Sequence, residues 1–305
     1  MDNELASQAK ERIDARLSSD RLSVGQRQEL QLLAKLAASV GPRDPYTVTP
    51  PSLLQALEQS TWGQSASRRR EMLYLLIQQA VRDQLESAAL ARLPPLSQQL
   101  QLIQLSRLAD LPDQESDWLE TDKDIFQKEL GLATLRLHAA AAQLIDPRCG
   151  VPRSLAWGGS VTESAARAVL FGRLGGFRPF FQIHTHLSYL DRFDAEGWND
   201  CYRVCAELFE VYPSCLGMFG ASWFYDPAIK EISPRLSYLQ DVPASGDARF
   251  LFMTDQGHFV QDAISTSPTR RSLYEAGTYK PRSFMMLWGR TAIQAWAQAH
   301  GSDNK

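Results

Sequence analysis

Residues 217 to 239 read GMFGASWFYDPAIKEISPRLSYL, and they set more aromatic and polar chemistry behind an apolar run than a core strand requires. Trp223, Phe224, Tyr225, Asp226, Ser233, Arg235 and Tyr238 arrive together there, which predicts a pocket at the end of a strand. Gly217 and Gly220 within the run predict a bulge or a close approach by backbone or ligand. Asp226-Pro227 has the form of a helix cap followed by a first-turn proline, so Asp226 is expected to cap PAIKEIS at a sharp strand-to-helix junction. Trp223, Tyr225 and Arg235 would then ring the mouth. The alternative is packing alone, with the aromatics plugging the sheet end and Arg235 paired to a carboxylate.

Three further groups carry chemistry by type and spacing. His184 and His186 form an HxH pair, which on a strand would aim both imidazoles to one face and could chelate zinc or iron. Asp191, Asp194 and His258 stand at no diagnostic spacing as a third ligand, so a hydrogen-bonding pair is the competing account and no metal is expected. In STSPTRRSLYEAG, Ser267 is an N-cap, Pro268 fits the first helical position and Gly277 fits just past the C-terminus. Arg270 and Arg271 in that first turn, with its free amides, could hold an anion or phosphate. Cys201 and Cys205 lie four apart on a predicted helix face shared with Trp198 and Leu208, where core packing explains them without a nucleophilic role.

The elements that would position these residues follow from periodicity. The first 120 residues read as helices: Leu30, Leu33, Ala37 and Val40 recur at helical spacing before Gly41-Pro42, and Leu73, Leu76, Ile77, Ala80, Val81 and Leu85 share a face in a run that Pro94-Pro95 should end. LSQQLQLIQLSRLADL is apolar on more than one side, and the acidic PDQESDW after it reads as a linker, giving a boundary near 120. Residues 121 to 305 alternate strand and helix. LGLATLRLHAAAAQLID could open as a strand, TESAARAVLFGRLGG is helical, FRPFFQIHTHLSYL is a strand, and Asp194 caps the helix that follows. CLGMFGASWFY, ARFLFM and SFMMLWGR complete the strands. The pattern is that of an α/β or α+β layer, a sheet covered by helices, behind a helical N-terminal region.

Composition bounds the partners. A net charge of −3, with 44% hydrophobic and 22% charged residues, describes a globular chain without the basic footprint of a nucleic-acid binder. No apolar run reaches a membrane span and the N-terminus has no signal-peptide pattern, so a cytoplasmic location and no membrane partner are expected. Four cysteines without a CxxC pair predict free, buried thiols.

The blocks GWNDCYRVCAELFEVYP, GASWFYDPAIKEISPRLSYL and TSPTRRSLYEAGTYKPRSFMMLWGR resemble a family of bacterial proteins without assigned activity, over roughly residues 124 to 296. The order strand, helix, strand, helix, strand with RRSLYEAGTY late in the chain also resembles the C-terminal half of the GCN5-related N-acyltransferase (GNAT) fold. That resemblance implies a mixed sheet and transfer of an acyl group from acyl-CoA or another acyl thioester to an amine. In that role His184 or His186 would be the general base, Tyr225 or Tyr274 would protonate the leaving thiolate, and Trp223, Asp226, Arg235, Arg270 and Arg271 would bind the donor. The family's Q/R-x-x-G-x-G/A phosphate loop has no glycine-matched counterpart in HTHLSYLDRFDAEGW. Two other readings stand beside it: a non-enzymatic module holding a small anion at Arg270 and Arg271 and self-associating through the N-terminal helices, and an HxH metal enzyme. Arg235, on the border of the Ile232, Leu236, Leu239 stripe, is expected to turn inward and pair with Asp226, so its truncation should cost more than about half a kcal/mol.

Overall fold

Short-range signals set most of the element ends in the computed structural model, which describes residues 2–301 apart from 19, 42, 61, 63–64, 112–116 and 158–159. The chain divides into two compact units, Met1–Arg148 with Thr185–Leu190, and Cys149–His184 with Asp191–Lys305.

The first unit carries helices α1 (Asp2–Arg16), α2 (Val24–Ala38), α3 (Pro51–Gln59), α4 (Ala66–Leu85), α5 (Ala88–Ala91), α6 (Pro95–Ala109) and α7 (Asp124–Ala133). The expected stripes are the buried ones: Leu30, Leu33 and Ala37 in α2, and Leu73, Leu76, Ile77, Ala80 and Val81 in α4. Helix α2 ends at Ala38, short of Val40, and the proline of Gly41-Pro42 lies outside the described residues. Helix α4 stops at Leu85, well before Pro94-Pro95. Ser87 caps the next short helix through the Leu90 amide, and Pro95 opens α6 at a position whose N–H has no intrahelical partner anyway. Residues 112–116, most of the acidic stretch read as a linker, lie outside the described residues.

Helix α6 packs against α1, α4 and α7, as its two-sided apolar pattern requires. Its buried Gln101 is satisfied at both ends, donating to the Leu132 carbonyl and accepting from the Ala139 amide. Buried Arg136 likewise spends Nη2 on the carbonyls of Pro45, Tyr46 and Val48, and burial lowers its pKa to about 10. The run expected to open as a strand at 130 is instead the end of α7, because Leu135 takes a left-handed φ of 53° and breaks the extended pattern. The strand starts three residues later: β1 (His138–Ala140) pairs antiparallel with β2 (Gln143–Cys149).

In the second unit α8 (Val161–Leu174) begins in a capping box from Ser160 and Glu163 and ends at Gly175, whose φ of 87° makes a left-handed cap. Strands β3 (Phe180–His184), β4 (Gly217–Ser222), β5 (Arg249–Thr254) and β6 (Ser283–Gly289) lie in the order β3-β4-β6-β5. The first pair is parallel and the others are antiparallel, so the unit is a mixed α+β layer, as the alternation of strand and helix predicts. Its helices are α9 (Ala195–Leu208), α10 (Ile229–Ile232), α11 (Tyr238–Ser245), α12 (Phe259–Ser265), α13 (Pro268–Glu275) and α14 (Arg290–His300). Asp194 caps α9 by accepting from Gly197, and Ser267 caps α13 by accepting from Arg270, with Pro268 at the first turn.

The glycines of β4 serve close approach and not a bulge. The β4–β6 register runs without a shift from Gly217↔Gly289 to Ser222↔Phe284, and the irregularity falls in β5 between Phe252 and Thr254. A Cβ on Gly217 would stand 2.3 Å from the Trp288 carbonyl oxygen, and one on Gly220 would stand 2.6 Å from Ile183 Cγ1. All four cysteines are buried, and none forms a disulfide among the described residues. Among the described residues no helix is long and apolar enough to cross a membrane.

Candidate functional site

Strand β4 ends at Ser222, and a single 3-10 turn over Trp223–Tyr225 sends three aromatic side chains in different directions. Trp223 is half-buried beneath the guanidinium of Arg270, whose Cζ lies 4.3 Å from its ring centroid. Phe224 packs edge-on against Trp198 and Phe193. Tyr225 turns into the core at 1% exposure, against Phe250. Its hydroxyl has no hydrogen-bond partner among the described residues, and a Cβ added to Gly220 would lie 3.3 Å from it. Burial pushes that phenol well above its ordinary pKa, with the Cys201 and Cys205 thiols adding to the shift.

Asp226 follows and is fully buried. Its Oδ1 accepts from the Ala228 amide, which fixes the turn just ahead of α10; the expected cap thus sits three residues before the helix begins, and Ala228 takes the N-cap position. Both carboxylate oxygens accept from Arg282, at 2.6 Å from Nη2 and 3.2 Å from Nε. The Asp226 carbonyl and that of Phe224 accept from the buried Gln240 amide, so this junction is tied down on every side. Tyr279 stands beside it with a buried hydroxyl that has no hydrogen-bond partner among the described residues and whose pKa is pushed up to about 12 by burial and by the Asp226 charge.

The expected inward Arg235 is corrected: it is exposed, and Arg282 takes its place on Asp226. Pro234 is the reason. It divides the segment into α10, a 3-10 turn at Pro234–Leu236 and α11, so Ile232, Leu236 and Leu239 never lie on one continuous helix and the stripe that would have turned Arg235 inward does not form. Arg235→Ala and Arg235→Lys are accordingly expected to shift stability by no more than about 0.5 kcal/mol in denaturant titrations. A loss above about 1 kcal/mol in both would restore an inward role.

Arg270 and Arg271 separate. Arg270 is 2% exposed and its nitrogens are committed to protein acceptors: Nε to the Ala263 carbonyl at 2.5 Å, Nη1 to Ser233 Oγ at 3.1 Å and Nη2 to Thr266 Oγ1 at 3.4 Å. It locks α12, α13 and the α10 end together. Arg271 is exposed and donates to the Ser265 carbonyl, and Tyr274 is exposed at 38% on the same helix. The paired guanidinium site at the start of α13 is not assembled.

The two histidines do not share a strand face. His184 is the last residue of β3 and is half-buried, whereas His186 lies beyond the strand's end, which removes the alternation that an HxH chelate needs. In the first unit His186 Nδ1 accepts from the Ser188 amide at 3.0 Å, and Nε2 lies 3.5 Å from Glu129 Oε1. Glu129 is itself held by Arg107 through both carboxylate oxygens, 2.9 Å from Nη1 and 2.5 Å from Nη2. Burial lowers the His186 pKa although Glu129 opposes it, so the imidazole is kept neutral, packed edge-on against Tyr189. At 3 to 4% exposure for Glu129, His186 and Tyr189, this is a closed packing cluster. No spacing in the sequence announces it, because Arg107, Glu129 and His186 come from three separate segments.

Comparison of the chain with protein families, curated proteins and solved structures finds no match.

Proposed function

We propose that the second unit transfers an acyl group from a pantetheine-type thioester to an amine where β3 and β4 part. The carrying observation is the short parallel pairing. Its register is Phe181↔Met218 and Gln182↔Phe219, after which both strands run on, to His184 and Ser222. Beside that point Tyr225 holds a buried, protonated hydroxyl with no hydrogen-bond partner among the described residues. Strand groups left unpaired where a ladder stops are suited to the amides of a pantetheine arm, which adds to the edge as an extended peptide does.

In this reading the amine nitrogen attacks the thioester carbonyl, forming the C–N bond of the amide. The amine proton passes to water, because His184 follows Ile183 on β3 and so points to the sheet face opposite Tyr225; the C–S bond breaks, and Tyr225 gives its proton to the departing sulfur, to be reprotonated from solvent. A phenol whose pKa burial has raised remains a proton donor throughout the neutral range. The start of α9 supports recognition through the arm and not through a diphosphate. Asp194 already occupies the Gly197 amide, and Glu196 adds a second negative charge to the first turn. Acyl-pantetheine and acyl-CoA should therefore serve as comparable donors.

The test is thiol release from a set of acyl-CoA and acyl-pantetheine thioesters with an amine mixture, using the full chain. Tyr225→Phe removes only an unsatisfied hydroxyl, so the variant should fold normally and lose about a hundredfold in rate. Absence of both thioester binding and thiol release from every donor would sink the proposal. So would full activity in Tyr225→Phe.

A further inference from the structure

The opposite edge of the second unit's sheet carries a groove of about 460 Å³, within the range of small-molecule sites. Its floor is apolar: Leu170 and Leu174 of α8 face Leu251 of β5 and Leu287 of β6. Strand β5 reads RFLFMT, yet none of its residues is fully buried, and Val169 at the groove is 54% exposed. Apolar surface is thus left open on a strand that would ordinarily be covered.

The rim is cationic. In a chain of net charge −3, Arg167, Arg173 and Arg249 line this one groove against a single acid, Asp247. Asp247 is used by Arg249, at 2.7 Å. Arg167 donates through Nη1 to the Leu155 carbonyl and keeps its other nitrogens. Arg173 has no hydrogen bond or ion pair among the described residues. A guanidinium has five donors and no acceptor, so the chemistry missing from this rim is an anionic head, and the chemistry missing from the floor is a hydrocarbon body.

We infer that the α8–β5 groove is a binding site for one amphipathic organic anion, a carboxylate carried on an aliphatic chain, with Arg173 receiving the head and the leucine floor the chain. The inference does not depend on the acyl-transfer reading, since it uses none of the residues at the β3–β4 end. It commits to an anion because of the charge excess; a neutral apolar ligand would leave Arg173 with nothing to meet.

Calorimetric titration of the full chain with decanoate, and with decan-1-ol as the neutral counterpart, tests it. Decanoate should bind at least tenfold more tightly than decanol. Arg173→Glu, at an exposed position without a partner, should fold as the parent does and weaken decanoate by tenfold or more while leaving decanol unchanged. Arg271→Glu, an exposed arginine on α13, should change neither. The inference is overturned by no decanoate binding, by equal affinity for acid and alcohol, or by an Arg173→Glu variant that binds decanoate as tightly as the parent.

Discussion

Arg282→Ala is expected to destabilise the protein by about 2–3 kcal/mol, far more than its place on a half-exposed loop would suggest. The asymmetry of the pair is the reason. Asp226 is fully buried while the Arg282 side chain is 44% exposed, so removing the arginine strands a carboxylate in the interior with only the Ala228 amide to accept from. Water reaching through the arginine's vacated space offsets part of that cost, which keeps the figure below the upper range for buried pairs. Asp226→Asn works the other way: it removes the charge, retains an oxygen for the Ala228 amide and leaves Arg282 free to turn to solvent, at about 1 kcal/mol. The double variant should therefore be more stable than Arg282→Ala alone. Urea titrations of the three variants decide the matter. A cost near 0.5 kcal/mol for Arg282→Ala, with no recovery in the double variant, would reduce the contact to an ordinary surface ion pair.

Acid should unfold this protein largely through one histidine. His138 in β1 is fully enclosed, and burial, with the nearby Arg148 charge, lowers its pKa from 6.5 to about 3. Above pH 6.5 neither the folded nor the unfolded form binds the proton, and the residue contributes no pH dependence. Between 6.5 and 3 the unfolded chain takes up a proton that the folded chain refuses, so stability falls with pH by up to about 1.4 kcal/mol per unit and levels off below the folded value. His186, also lowered by burial, tilts the curve the same way. From pH 6.5 to 4.5 the loss due to His138 should be about 2–3 kcal/mol, and His138→Gln should flatten the profile by that amount whatever its effect at neutral pH. Parallel stability curves for parent and variant across that range would refute the assignment.

Features that depend on a few neighbouring residues were legible in the sequence. Ser267-Pro268 with Gly277, the Asp194 cap and the leucine stripes of α2 and α4 all rest on contacts within one or two turns of chain, which a linear reading samples directly. The four strands of the second unit were legible too, since apolar β-rich runs bounded by turn residues have few other places to go. Where one local signal competed with another, the reading failed: Pro234 overrode the stripe that pointed Arg235 inward, and a left-handed Leu135 ended the strand expected from 130 onward.

What faces what was decided only by the tertiary structure. Arg282 meets Asp226, 56 residues away, because β6 runs antiparallel to β4 in a register that sets Phe284 opposite Ser222 and so delivers the residue before β6 to the turn after β4. Nothing in YKPRSF shows that register. Arg270 and Arg271 were expected to hold an anion together, yet successive residues on a helix point about 100° apart, and the packing of α12 against α13 chose which one to enclose. The sequence could place the aromatic cluster at the end of β4 but not say which ring turns in. That was settled by Gly220, whose missing side chain makes room for Ile183 and the Tyr225 hydroxyl, and by the buried Arg270, whose guanidinium lies over the half-buried Trp223 ring.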